Sequence, residues 1–69
     1  MSKPLNRLKV VLAEQQKTNK WLAEKLGKDV TTVSKWCTNK SQPGLETLIE
    51  ISNALNVEVS ELLRTKSEI

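Results

Sequence analysis

At 69 residues with a net charge of +3, the chain has room for a single domain, one that would bury only about 60% of the surface its unfolded form exposes. One cysteine and no histidine exclude an internal disulfide and a zinc site, and the apolar runs fall far short of the roughly 20 residues of a membrane span, which predicts a cytoplasmic protein without a signal peptide. The charge is divided unevenly: residues 1–40 carry nine of the eleven basic groups and three of the eight acids, a net +6, whereas residues 41–69 carry a net −3, so one half is suited to face an anion.

Residues 1–4 read as a loose tail in which Lys3 offers a phosphate contact or simply frays. The spacing then predicts a first helix over residues 5–14, with Leu5, Leu8 and Val11 or Leu12 inward and Arg7 and Lys9 outside. Residues 15–17 form a connection. A second helix follows, capped by Thr18 or Asn19, with Leu22 and Leu26 one turn apart on its buried side. Gly27 ends it, because glycine enters the left-handed conformation without a side-chain clash. Lys17 and Lys20 add charge near its start, where free amides already favour a phosphate, although solvated lysines are an equal reading.

Asp29 is placed to cap a third helix. Val30, Val33, Trp36 and Cys37 recur at steps of three and four on its inner arc, while Thr31, Ser34, Lys35 and Thr38 share the outer one. That outer arc carries no acid. Its hydroxyls can donate or accept at base edges and phosphates, and its lysine can reach guanine acceptors or the backbone. So short a connection around Gly27 forces the two helices to cross steeply, and Ala23 lets them approach closely. Taken alone, a polar helix face is an ordinary solvated surface.

Residues 39–44, with Pro43 and Gly44, form a loop. A fourth helix begins at Leu45, and Leu45, Leu48, Ile49, Ile51, Ser52 and Leu55 give it a wide apolar stripe. Asn56 ends it and Val57 turns inward. A last short helix over about residues 59–64 presents Leu62 or Leu63 to the core, and residues 65–69 fray. The two tryptophans, with no Phe or Tyr, leave Leu, Val, Ile and Ala to fill that core, which suits helices better than a sheet.

In this order and spacing, Leu22-Ala23, Leu26-Gly27, Val33-Ser34-Lys35-Trp36, Lys40, Pro43, Leu45 with Leu48, Ala54-Leu55-Asn56-Val57 and Glu61-Leu62 resemble the Cro/C1-type helix-turn-helix family of phage repressors and bacterial relatives, the XRE family. The resemblance covers roughly residues 5–63. It implies an all-α, compact five-helix, lambda-repressor-like domain over residues 1–69, with a core of about 5–64, whose second and third helices form the DNA-reading unit. It also implies base-facing roles for Val30, Thr31, Ser34 and Lys35, and backbone contacts from Asn19, Lys20, Thr32 and Lys40. Asn19 stands where the family commonly has a phosphate-gripping glutamine, and Thr32 packs or binds phosphate.

Three positions depart from the pattern. Cys37 and Leu12 replace a glutamate and arginine that often pair, so apolar contact substitutes for an ion pair, an exchange that is often neutral or stabilising. Asn39 replaces a glycine at the end of the third helix, where asparagine is the next best left-handed residue. Trp21 stands at a normally polar place, where it packs over the chain termini, meets a partner, or lies near the sugar-phosphate backbone. Cys37 itself reads as a small buried hydrophobe without a companion thiol.

No catalytic constellation is present. Glu46, Glu50, Glu58 and Glu61 sit on helix faces or near helix starts, and no histidine base or Gly-rich phosphate loop accompanies them, so an enzyme is not expected. The expected function is a sequence-specific DNA-binding transcriptional regulator, a repressor, whose third helix (about residues 30–38) enters the major groove of double-stranded DNA. Alternatives are an antitoxin or restriction-modification controller with the same fold, or a protein-interaction adaptor that does not bind DNA. No metal, cofactor or small-molecule ligand is expected. Relatives commonly bind as homodimers on two half-sites. Val59, Leu63 and Ile69 supply the two-fold contact or complete the domain's own core.

Overall fold

A computed structural model describes residues 6–63. The expectations for Lys3, Leu5, Ile69 and the frayed ends lie outside these residues. Four α-helices follow in order: α1 (Leu8–Glu14), α2 (Asn19–Leu26), α3 (Val30–Cys37) and α4 (Leu45–Leu55). What the sequence predicts as a fifth helix is a four-residue 3₁₀ turn, Val59–Leu62. Its start is fixed by a reciprocal cap in which the amide of Glu58 donates to Glu61 Oε2 at 2.7 Å. The turn goes no further because Leu63 is extended and pairs with the backbone of Asn6, which stops the element after one short turn.

Local chemistry accounts for the helix ends. Thr18 caps α2 by accepting from the amide of Trp21 at 3.0 Å. Asp29 occupies the corresponding place before α3 in an extended conformation, but its side chain makes no capping bond, contrary to expectation. All four α-helices close with the same device. A left-handed residue follows the last turn (Gln16, Gly27, Asn39, Asn56; φ 55 to 67°), and the next amide donates to the carbonyl five residues back. The four bonds, Lys17 to Leu12, Lys28 to Ala23, Lys40 to Lys35 and Val57 to Ser52, measure 2.9 to 3.0 Å. Gly27, Asn39 and Asn56 suit this conformation. Gln16 was not expected there, and it bears the steric cost of a left-handed side chain.

Leu8, Val11, Leu12, Leu22, Ala23, Val33, Trp36, Cys37, Ile51, Leu55 and Leu62 form one buried cluster. Around it α2 packs on α3 and α4, α4 on the 3₁₀ turn, and α1 on both α3 and that turn. Val30 is not part of the inner arc, being 49% exposed. The expected stripe on α4 is also narrower than predicted. Leu45 is 72% and Ile49 46% exposed, whereas Ile51, Ser52 and Leu55 are buried. At about 100° per residue, Ile49 and Ile51 point in nearly opposite directions, so one face cannot hold both. Leu45 sits in the first turn, at the outer end of the helix. Buried Ser52 satisfies its hydroxyl by donating to the carbonyl of Ile49 at 2.7 Å. Of the pair Leu62 and Leu63, Leu62 is the inward residue.

The first helix starts three residues later than predicted because Asn6 is engaged elsewhere. Its backbone pairs antiparallel with Leu63, and the next amide, of Arg7, donates to the carbonyl of Leu62 at 2.8 Å. Its side-chain oxygen accepts from the amide of Leu8 at 3.0 Å, which sets the direction in which α1 departs. A Thr18→Ala variant should lose about 1 kcal/mol, read as a fall of roughly 4 to 8 °C in the melting temperature by circular dichroism.

Candidate nucleic-acid interface

The turn between α2 and α3 consists of Gly27, Lys28 and Asp29, and a φ of 67° at Gly27 lets the chain reverse within it. On one side of α3, Val33, Trp36 and Cys37 are buried, at 0, 5 and 8% exposure. On the other, Thr31, Ser34, Lys35 and Thr38 are all exposed, and so is Val30. No element of the described fold covers that face. It offers a methyl-bearing surface at Val30 and Thr31, hydroxyls at Thr31 and Ser34, and an ammonium at Lys35. The acid nearest to it in sequence is Asp29, just before the helix.

Thr38 contributes less than its position suggested. Its hydroxyl donates to the carbonyls of Ser34 at 3.1 Å and Lys35 at 3.3 Å, which leaves the oxygen only as an acceptor. Thr32 is half-buried and stands at the edge of the face. Lys20, at the start of α2, and Lys40, in the loop after α3, are both exposed. The expected residues thus divide into a continuous exposed face on α3 (Val30, Thr31, Ser34, Lys35), a flanking position (Thr32), and three side chains at the neighbouring helix start and loop (Asn19, Lys20, Lys40).

Asn19 is half-buried and joins the two helices. Its Oδ1 accepts a hydrogen bond from Cys37 Sγ at 3.2 Å, so the amide nitrogen is the part of the side chain left to meet an anion. Cys37 and Leu12 both lie in the buried cluster, where the sequence placed an apolar substitute for an ion pair. Burial pushes the Cys37 thiol up from its ordinary pKa, with Lys9 pulling more weakly the other way. It is therefore a protonated donor at neutral pH. The stability this contributes is present below the thiol's ordinary pKa and is lost as pH rises through the raised one. Iodoacetamide at pH 7.5 should alkylate folded protein at least about tenfold more slowly than urea-unfolded protein, since only the accessible thiolate reacts.

Trp21 is half-buried against the core cluster. The ammonium groups of Lys17 and Lys25, one turn to either side, lie 4.5 and 5.7 Å from its ring centroid. Sequence reasoning missed a second feature altogether, a polar cluster at the far end of α3. Asn6, only 4% exposed, donates from Nδ2 to the carbonyl of Trp36 at 2.9 Å and to Gln42 Oε1 at 2.8 Å. The amide of Asn6 donates to Asn39 Oδ1 at 2.9 Å, and Gln42 Nε2 donates to the same oxygen at 3.0 Å. Asn39 standing where a glycine was expected was the available signal.

Among the described residues no helix is long and apolar enough to cross a membrane, and no group of three or more potential ligand side chains is placed to hold a metal ion. No curated protein matches the chain. A crystal structure of a protein from Bacteroides fragilis, described as a candidate DNA-binding protein, is similar at 55% identity with a TM-score of 0.85. The match covers 87% of this chain and 97% of that one. The helix-turn-helix family profile matches residues 8–62, the span from the start of α1 to the end of the 3₁₀ turn. With α2 and α3 joined by the short turn at Gly27 and the family match spanning all four α-helices, the chain belongs to the helix-turn-helix family of the Cro/C1 type.

Proposed function

We propose that this protein is a sequence-specific DNA-binding transcriptional regulator, a repressor, that inserts α3 in the major groove. Val30, Thr31, Ser34 and Lys35 meet base edges, while Asn19, Lys20, Thr32 and Lys40 hold the flanking phosphates. The observation that carries this reading is the exposed face of α3, which holds hydroxyls and a lysine and no acid, beside two further exposed lysines. Family membership and the description of the Bacteroides fragilis neighbour support it.

The chemistry of the face indicates what it reads. Lys35 suits guanine, whose major-groove edge presents two acceptors, and the methyl groups of Val30 and Thr31 suit the methyl of thymine. With no arginine, asparagine or glutamine on the face, Lys35 is its one side chain able to bridge both guanine acceptors, and one module of this size has limited discrimination. Two copies on two half-sites, about one helical turn apart, supply the rest.

Selection of bound duplexes from random DNA, followed by a salt titration of the best site, tests this. The expected outcome is an enriched motif containing guanine and thymine, arranged as an inverted repeat, with affinity falling steeply as salt rises. A pool that stays random, with no salt-dependent affinity, would leave the chain as a protein-interaction adaptor.

A further inference from the structure

Asn39 adopts φ 60°, a conformation that a glycine would enter at less cost. Its side chain does what no glycine could. Asn39 Oδ1 accepts from the Asn6 amide and from Gln42 Nε2, at 2.9 and 3.0 Å, and Asn39 Nδ2 donates to the Asn6 carbonyl at 3.4 Å. Asn6 completes the ring through Gln42 Oε1 and the Trp36 carbonyl. The bonds made by Asn6 link segments separated by 30 or more residues, so they exist only in the folded chain, whereas that between Gln42 and Asn39 is local.

Within this ring lies Lys40. Its amide, and that of Ser41, donate to the carbonyl of Lys35 at 2.9 and 3.4 Å, so the loop is tied to the last turn of α3 at its start and is bound again at Gln42. Gln42 is an exposed residue, and holding its side chain adds little to the buried core. What the ring does constrain is the path of residues 39–42, the segment that follows the reading face. Asn6 is in turn fixed from behind, by its pairing with Leu63 and its bond to the amide of Leu8.

We propose that Asn6 is a positioning residue for the DNA interface: with Asn39 and Gln42 it latches the loop bearing Lys40 to the edge of α1, and so sets where Lys40 meets the phosphate backbone. This rests on the reading of Lys40 given above. The rigid attachment removes the cost of ordering a long side chain's carrier loop at the moment of binding.

Asn39→Gly separates the latch from the turn, since glycine keeps the left-handed conformation and removes the acceptor. Gln42→Ala cuts the outer branch alone. Both variants should stay folded, which circular dichroism checks, and both are compared with the unaltered protein at a temperature where all are folded. In the free proteins, the Lys40 and Ser41 amides of the variants should exchange hydrogen about tenfold faster, one lost hydrogen bond's worth of local opening. On the selected DNA, the variants should bind several-fold more weakly, and the slope of log affinity against log salt should fall by about 1. Variants with unaltered amide exchange and an unaltered salt slope overturn the proposal, whatever happens to their melting temperatures. If the unaltered protein has no salt-dependent DNA affinity, the regulator reading and the role of the latch toward phosphate both fall, and the exchange data still decide whether the latch holds the loop.

Discussion

Reversing the charge of Lys35 should abolish specific DNA binding, with affinity for the selected site falling more than about a hundredfold in a fluorescence-anisotropy titration at physiological salt. Lys35 is exposed on the α3 face, and its ammonium is the only charged group among the residues assigned to base edges. On the proposed function, Lys35→Ala should remove one base contact, worth roughly 1 to 3 kcal/mol of discrimination, and relax preference at one base pair. Lys35→Glu does this and also sets a carboxylate against the acceptor edges and phosphates of the groove, where unlike the lysine it is repelled. Since the side chain lies outside the core, the melting temperature should hardly move. Neither variant altering affinity or preference would show that α3 does not read bases.

The largest effect on stability should come from Leu22→Ala. Leu22 has no exposed surface and lies in the cluster that joins α2 to the rest of the fold. Truncating such a leucine costs about 2 to 5 kcal/mol, the spread reflecting how far the site collapses. Stabilities near 0.05 to 0.15 kcal/mol per residue give a chain of this length little to spare. The variant should therefore be substantially unfolded at 37 °C, and its apparent DNA affinity should fall in proportion to the folded fraction. Leu45→Ala is the contrasting case. Leu45 is 72% exposed, so the same chemical change should shift stability by only about 0.5 kcal/mol or less. Equal melting temperatures for the two variants in a thermal scan would mean that the buried cluster is wrongly placed.

The features legible in the sequence were those encoded by a few adjacent residues. Thr18 as one of two candidate caps, Gly27 as a stop, Asn39 as a left-handed residue and Asn56 as a terminus each depend on chemistry within one helical turn, and each is found where expected. The two-sided character of α3 was legible for the same reason, since Val33 and Trp36 alternate with Thr31 and Lys35 at helical spacing. The failures share a different origin. Whether Leu45 or Ile49 is covered depends on which distant elements reach that side of α4, and nothing within the helix records it. Asn6 falls inside the span predicted for the first helix and nothing near it in sequence marks it out, because its partners Trp36, Asn39 and Gln42 lie 30 or more residues away. Asp29 shows the converse limit: a good capping residue stands at the capping position and leaves the bond unmade.

The pairing of Asn6 with Leu63 brings the two ends of the described fold side by side. A short flexible linker from residue 63 back to residue 6 would thus close the chain into a circle, and reopening it at exposed Ser41 would cut the latched loop but no helix. Such a permuted chain would keep every helix intact while severing the covalent path from the reading unit to α4, so its ability to fold would reveal how far assembly depends on the order in which the helices are synthesised.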